Sequence, residues 1–293
     1  MEGVLSAVGV TYLAHADPAR VRLARQDCFQ PMLGEEAVDM GPAIDDGALG
    51  LAQRVLKGAK AHGASTYHLM LACAADDESM PEVVHRYLRL AFARGKEVRW
   101  LVSDPTVVAF TDLARRVSGE VEHTKQFVRF SHLSDGSWAA TFSPKDNTIP
   151  LTAGHFVRRM TEERFCIIDP RHHVAAFHRE KSKQSTLVTL DDELAEQLSG
   201  RNDLADDERY VRAMWKRVYD GLSFEGRGIE GRGYDLRMHF MPKRFWEGLP
   251  ELDPSTDNPG TYVPERYRNE GANRSRGDNA AGQAAGRKRG MIE

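Results

Sequence analysis

The sequence predicts an α+β fold: a central antiparallel sheet with a ββαββ unit over about residues 127–179, flanked by helices before and after it. Three observations point there. Apolar residues recur at helical spacing up to residue 126, the period then changes to strand-like alternation, and Asp135-Gly136 falls between two alternating runs as a hairpin signal.

Taken in order, Val4, Leu5, Val8 and Tyr12 place a short amphipathic helix over Gly3–Leu13, ended by Asp17-Pro18. A short extended piece is expected near Ala37–Met40. A helix follows that has Asp45 and Asp46 at its start, where the dipole favours acids, and runs to about Lys60. "TYHLMLACAA" and "SMPEVVHRYLRLAFARG" read as two more helices, the second with Ser79 as its cap, Pro81 early and Gly95 at its close. The next helix starts at Asp104-Pro105 and carries Val107, Phe110, Leu113, Val117 and Val121 as one stripe.

"FVRFSHL" and "SWAATFS" form the hairpin, with Val128, Phe130, Trp138, Ala140 and Phe142 on one face. After Pro144 and Pro150 the expected elements are a helix over about 152–162 and strands at 165–169 and 173–179. Beyond Lys181 come a loop, a helix near Asp191–Leu198, and a longer one in "DDERYVRAMWKRVYDGL". From 253 to 293, Gly, Pro, Asn, Arg and Ala dominate, which predicts a disordered polar tail behind a single α+β domain at 1–252.

The chain has 293 residues and a formal charge of −3, so binding to a polyanion would have to come from a local basic face. Cys28, Cys73 and Cys166 are scattered, which argues against a disulfide framework, a CxxC metal knuckle and a cysteine-held cluster. No apolar run approaches the roughly 20 residues of a membrane span, and no signal peptide is written at the start, so a cytoplasmic protein is expected. Walker, GxGxxG and HExxH patterns are absent, and no cofactor is expected.

Two basic concentrations remain. On helix 152–162, a hundred-degree step puts His155, Arg158, Arg159 and Glu162 on one side and Phe156, Val157 and Met160 on the other. That ridge suits phosphate oxygens, or else it is a solvated face in which Glu162 pairs Arg158. In "FEGRGIEGRGYDLRMHFMPKRFW", Arg227, Arg232, Arg237, Lys243 and Arg244 alternate with aromatics, as in strand-binding surfaces or in a loop that plugs a core. Asp169-Pro170 makes a turn at a strand end, and Asp169 there is also a candidate general base or metal ligand. His172, His173 and His178 offer imidazoles, but adjacent strand residues face opposite ways and no zinc spacing is present, so no metal site is expected. Cys166 lies in an apolar run that disfavours its thiolate.

"EGVLSAV", the stretch from "QFVRFSHL" through "DPRHHVAAFHR", and "MPKRFWEGLPE" resemble, in that order, the landmarks of a bacterial family labelled "probable DNA metabolism protein". The similarity spans about residues 1–252. It implies a DNA repair or DNA modification context. In that family such a domain is encoded beside a radical-SAM protein, or is fused to a uracil-DNA glycosylase domain. Matching positions include Phe127, Arg129, Phe130, His155, Phe156, Arg159, Asp169, Lys243, Arg244 and Trp246.

The chain departs from the pattern in lacking the family's opening Tyr-Asp-Gly-Ser-Phe and in having Gln126 where Gly is usual. The Asn expected near Gly233 is absent too, and the polar stretch 253–293 is not expected to hold a glycosylase domain. The expectation is therefore a DNA-binding accessory protein that contacts DNA through Arg129, His155, Arg158, Arg159, Lys243 and Arg244 and works with a radical-SAM or glycosylase partner. The rivals are a nucleic-acid-modifying enzyme using Asp169 and His155, and a protein-docking module that touches no DNA.

Overall fold

The computed structural model describes residues 1–17, 20–26, 28–39, 48–200, 203–221 and 241–249. It divides into two units, Met1–Asp203 and Leu204–Glu293.

The first unit opens with helices α1 (Glu2–Leu13), α2 (Ala48–Ala61), α3 (Thr66–Cys73) and α4 (Met80–Arg94), then a 3-10 turn (Gly95–Trp100) and the long α5 (Pro105–Phe127). Their apolar stripes meet in one core that holds Leu5, Val8, Leu69, Val84, Leu88, Phe110, Val117 and Val121. The predicted α5 stripe is buried throughout, and Asp104 caps the helix by accepting the Thr106 N–H at 2.8 Å. Ser79 stands at the start of α4 but does not cap it. Its hydroxyl and amide both donate to Asp77, a local partner that competes with the helix end.

The sheet follows as β1 (Ser131–His132), β2 (Trp138–Thr141), β3 (Phe165–Asp169), β4 (Val174–His178) and β5 (Ser185–Thr189), in spatial order β1-β2-β3-β4-β5. The ββαββ succession is present, with α6 (Ile149–Arg159) between β2 and β3. The antiparallel expectation needs one correction. β2 and β3 pair in parallel, Trp138 opposite Phe165, because a helical crossover returns the chain in the direction in which it left. The other pairs are antiparallel. The hairpin turn uses Gly136 at φ +75°, a left-handed conformation that costs glycine little.

β5 lies where a loop was expected, and α6 begins three residues before the predicted 152. No strand forms near Ala37–Asp39. β3 is buried on both faces. Phe165 packs edge-on to Phe130, which also meets Phe156 of α6. Ile168 lies on the other side with Ala195 of α7 (Asp192–Ser199), a helix capped by Asp191. Burying a side chain the size of Phe156, 2% exposed, contributes about 2 kcal/mol.

In the second unit the described residues form α8 (Asp206–Gly221) and a 3-10 turn (Lys243–Gly248). The predicted tail, its boundary at 252, and Arg227, Arg232 and Arg237 lie outside the described residues.

Candidate functional site: a cationic ridge and a charged joint

Helix α6 sorts its side chains as the period requires. Ile149, Thr152, Ala153, Phe156 and Val157 are buried, while Arg158 and Arg159 are exposed in the last turn, where cations complement the helix dipole. The helix stops at Arg159, because Met160 leaves helical geometry at φ −124° and ψ 46°. Glu162 therefore loses its helical spacing to Arg158, and the expected pair does not form. The Glu162 carboxylate lies instead within the field of Lys181. Among the described residues, neither the Arg158 nor the Arg159 guanidinium has an ion pair or hydrogen bond.

His155 lies half-buried on the same ridge, its ring edge-on to Phe156 at 5.2 Å and its Nε2 without a partner. Its pKa is held below the ordinary 6.5, first by burial and then by the charges of Lys125, Arg159 and Arg158; Glu122 alone opposes them. The imidazole thus senses a positive field made by residues from two helices. Lys125, near the end of α5, was not legible as a member of this group, and it also holds Glu122 at 2.7 Å. Arg129, two residues past α5, donates to the Gln126 carbonyl at 3.1 Å. Lys243 and Arg244 belong to the second unit, where the Arg244 guanidinium lies 5.3 Å from the Phe245 ring centre.

Asp169 is in another setting. It is fully buried, and its Oδ1 accepts the N–H groups of Arg171 and His172 at 3.0 and 3.2 Å, as a turn-initiating Asp should. Its Oδ2 meets His172 Nδ1 at 2.6 Å. Asp169 and His155 thus answer to different neighbours, and no hydrogen bond or ion pair joins them.

Around His172 the loop after α3 ties itself to the end of the sheet. Asp76 pairs Arg25 at 2.7 Å and Arg171 at 3.1 Å, and its own N–H donates to the buried Asp146 at 3.0 Å. Arg116 spans Asp77 at 2.8 Å and Asp146 at 3.0 Å. The Arg25 bond leads in holding the Asp76 carboxyl below its ordinary value. The Ser79 hydroxyl, followed by Arg116, brings Asp77 down to about 2. His172 Nε2, 3.8 Å from Asp76 Oδ2, and Asp146 Oδ2 are buried without a hydrogen-bond partner among the described residues, places suited to ordered water.

The remaining candidates are structural. His178 is 3% exposed, and its ring nitrogens face the Glu163 and Ser182 carbonyls at 2.8 and 2.9 Å. Among the described residues no group of three His, Cys, Asp or Glu could hold a metal ion. Burial pushes the Cys73 thiol up to about 11, which removes it as a nucleophile near neutral pH. No described helix is long and apolar enough to cross a membrane.

Residues 78–251, more than half of the chain, match the family model described as "Domain of unknown function (DUF4130)". No curated protein and no solved structure matches the chain.

Proposed function

Because the chain belongs to this family of domains of unknown function, a description that carries no activity, we propose from the ridge itself that it is a DNA-binding accessory protein of DNA repair or modification. One observation carries the reading: Arg158 and Arg159 face outward without carboxylate partners among the described residues, and their charges, after burial and Lys125, help to hold the His155 pKa down. Guanidiniums left in this state grip phosphate oxygens in bidentate fashion, and each contact releases condensed counterions. The sequence's resemblance to the "probable DNA metabolism protein" family supplies the repair context and the radical-SAM or uracil-DNA glycosylase partner. Arg129, Lys243 and Arg244 are further phosphate contacts in this reading.

The test is DNA affinity measured against salt. Affinity falls steeply as salt rises, and Arg159→Ala flattens the log–log slope by about one unit. Binding indifferent to salt and to this substitution removes the proposal.

A second reading, a nucleic-acid-modifying enzyme, is favoured by the Asp169–His172 contact of 2.6 Å. A carboxylate that fixes one imidazole nitrogen is the orienting half of a general-base arrangement, and the other nitrogen, buried, faces Asp76 Oδ2 at 3.8 Å. Turnover on single-stranded, duplex or uracil-containing DNA, with or without the radical-SAM neighbour, that is lost in His172→Ala would establish it. Absence of turnover on all three discards it.

A further inference from the structure

The 3-10 turn Gly95–Trp100 is clamped at the level of the backbone. Val98, 1% exposed, anchors it in the helical core. Arg99 Nε donates to the Gly63 carbonyl at 2.7 Å. Gly63 has φ +93°, and a Cβ there would come within 2.9 Å of Lys96 Cα. Both the conformation and the close approach thus require glycine at this seam. A turn held this way fixes the direction of its last side chain, yet that side chain is Trp100, 82% exposed, with Val102 beyond it at 71%.

A large aromatic ring held in water on a rigid support forgoes its burial energy. The charges beside it indicate what covers it. Arg94, Lys96 and Arg99 lie within six positions of Trp100 in the chain and form no ion pair among the described residues, while Glu97 is the one acid in the stretch 94–100. An exposed ring on a chain segment rich in cations without carboxylate partners suits a strand that offers stackable rings and phosphates together.

We propose that Trp100 is a base-stacking anchor for single-stranded nucleic acid, with Arg94, Lys96 and Arg99 on the adjacent phosphates. This rests on the reading that the chain contacts DNA. It adds a second, chemically different contact, at the opposite end of α5 from Lys125 and the ridge. The 23 residues of α5 correspond to about 35 Å of helix, so each contact can fail by itself.

The experiment titrates an oligothymidylate of sixteen nucleotides into the full chain and follows tryptophan fluorescence. The wild type should be quenched on binding. Trp100→Ala should lose most of that quench and weaken binding about tenfold, Trp100→Phe should keep most of the affinity, and neither should change the salt slope. Because Trp100 is exposed, the alanine variant should melt with the wild type, which separates lost stacking from lost fold. If Trp100→Ala binds and quenches like the wild type while Arg158→Ala/Arg159→Ala weakens binding, the anchor is refuted and the ridge stands. If the wild type binds no DNA, both readings fall. Loss of duplex binding in Trp100→Ala equal to the loss on single strands also overturns base stacking.

Discussion

Two charged regions of the first unit use the same residue types to opposite effect. At the joint between the loop after α3 and the end of the sheet, Arg25, Arg116 and Arg171 each meet an aspartate within 3.1 Å. At the end of α6, Arg158 and Arg159 meet none among the described residues, and their field, with that of the Glu122-paired Lys125, reaches His155. Cations paired in the fold hold segments together and have little left for a ligand, because carboxylates already occupy them, and parting Arg116 from Asp146 would strand a buried charge. Cations without partners do little for stability and remain available to a polyanion. The comparison predicts that substitutions at the two places separate cleanly, affecting folding at one and binding at the other.

The largest expected effect breaks the ridge. Arg158→Glu/Arg159→Glu should weaken DNA binding on the order of a thousandfold, the loss expected when two charge-assisted contacts of roughly 2 kcal/mol each are removed. Thermal stability should fall only by the helix-dipole contribution, about 1 kcal/mol per residue at most, and a larger loss would show that the ridge belongs to the fold. Next comes the joint. Arg116→Ala leaves the 1%-exposed Asp146 side chain without its cation, which should cost about 3 kcal/mol in denaturant unfolding and leave DNA affinity intact.

A neutral control sharpens the contrast. Asp104→Ala removes the α5 cap and should cost about 1 kcal/mol, with no effect on salt dependence. The smallest effect is that of His155 on pH. Its depressed pKa means that the free protein takes up a proton only below the ordinary 6.5, and a bound phosphate opposes that depression. Affinity should therefore rise as pH falls below about 6.5, by less than tenfold per unit, and His155→Gln should abolish the rise. Stability runs the other way. The unfolded chain binds the proton more readily, so this group's contribution is lost as pH falls through the same range.

Much of the fold was legible because its signals are local. The Asp104-Pro105 start, the α5 stripe, the Asp135-Gly136 turn and the β3 span Phe165–Asp169 all depend on neighbours within a few residues. The parallel pairing of β2 with β3 was not legible, because direction depends on which strands become neighbours after the α6 crossover. β5 was missed for a related reason. Ser185–Thr189 is an edge strand with no fully buried residue, so its pattern lacks the apolar alternation of a packed strand.

The site divides in the same way. The sorting of Arg158 and Arg159 away from Phe156 follows from helical period, whereas Lys125 reaches His155 from another helix thirty positions earlier. Arg171 pairs with Asp76 across ninety-five positions, and nothing in either local sequence announces that contact. Arg171 sits in the same arginine- and histidine-rich stretch as the ridge, and only the three-dimensional pairing separates its role from theirs.

The most direct test places those arginines side by side, with DNA affinity measured over a salt series for the wild type, Arg158→Ala/Arg159→Ala and Arg171→Ala. The double ridge variant should flatten the log–log slope by about two units and Arg171→Ala should leave it unchanged. A flattened slope in Arg171→Ala, or an unchanged one in the ridge variant, would contradict the assignment of DNA contact to the unpaired cations.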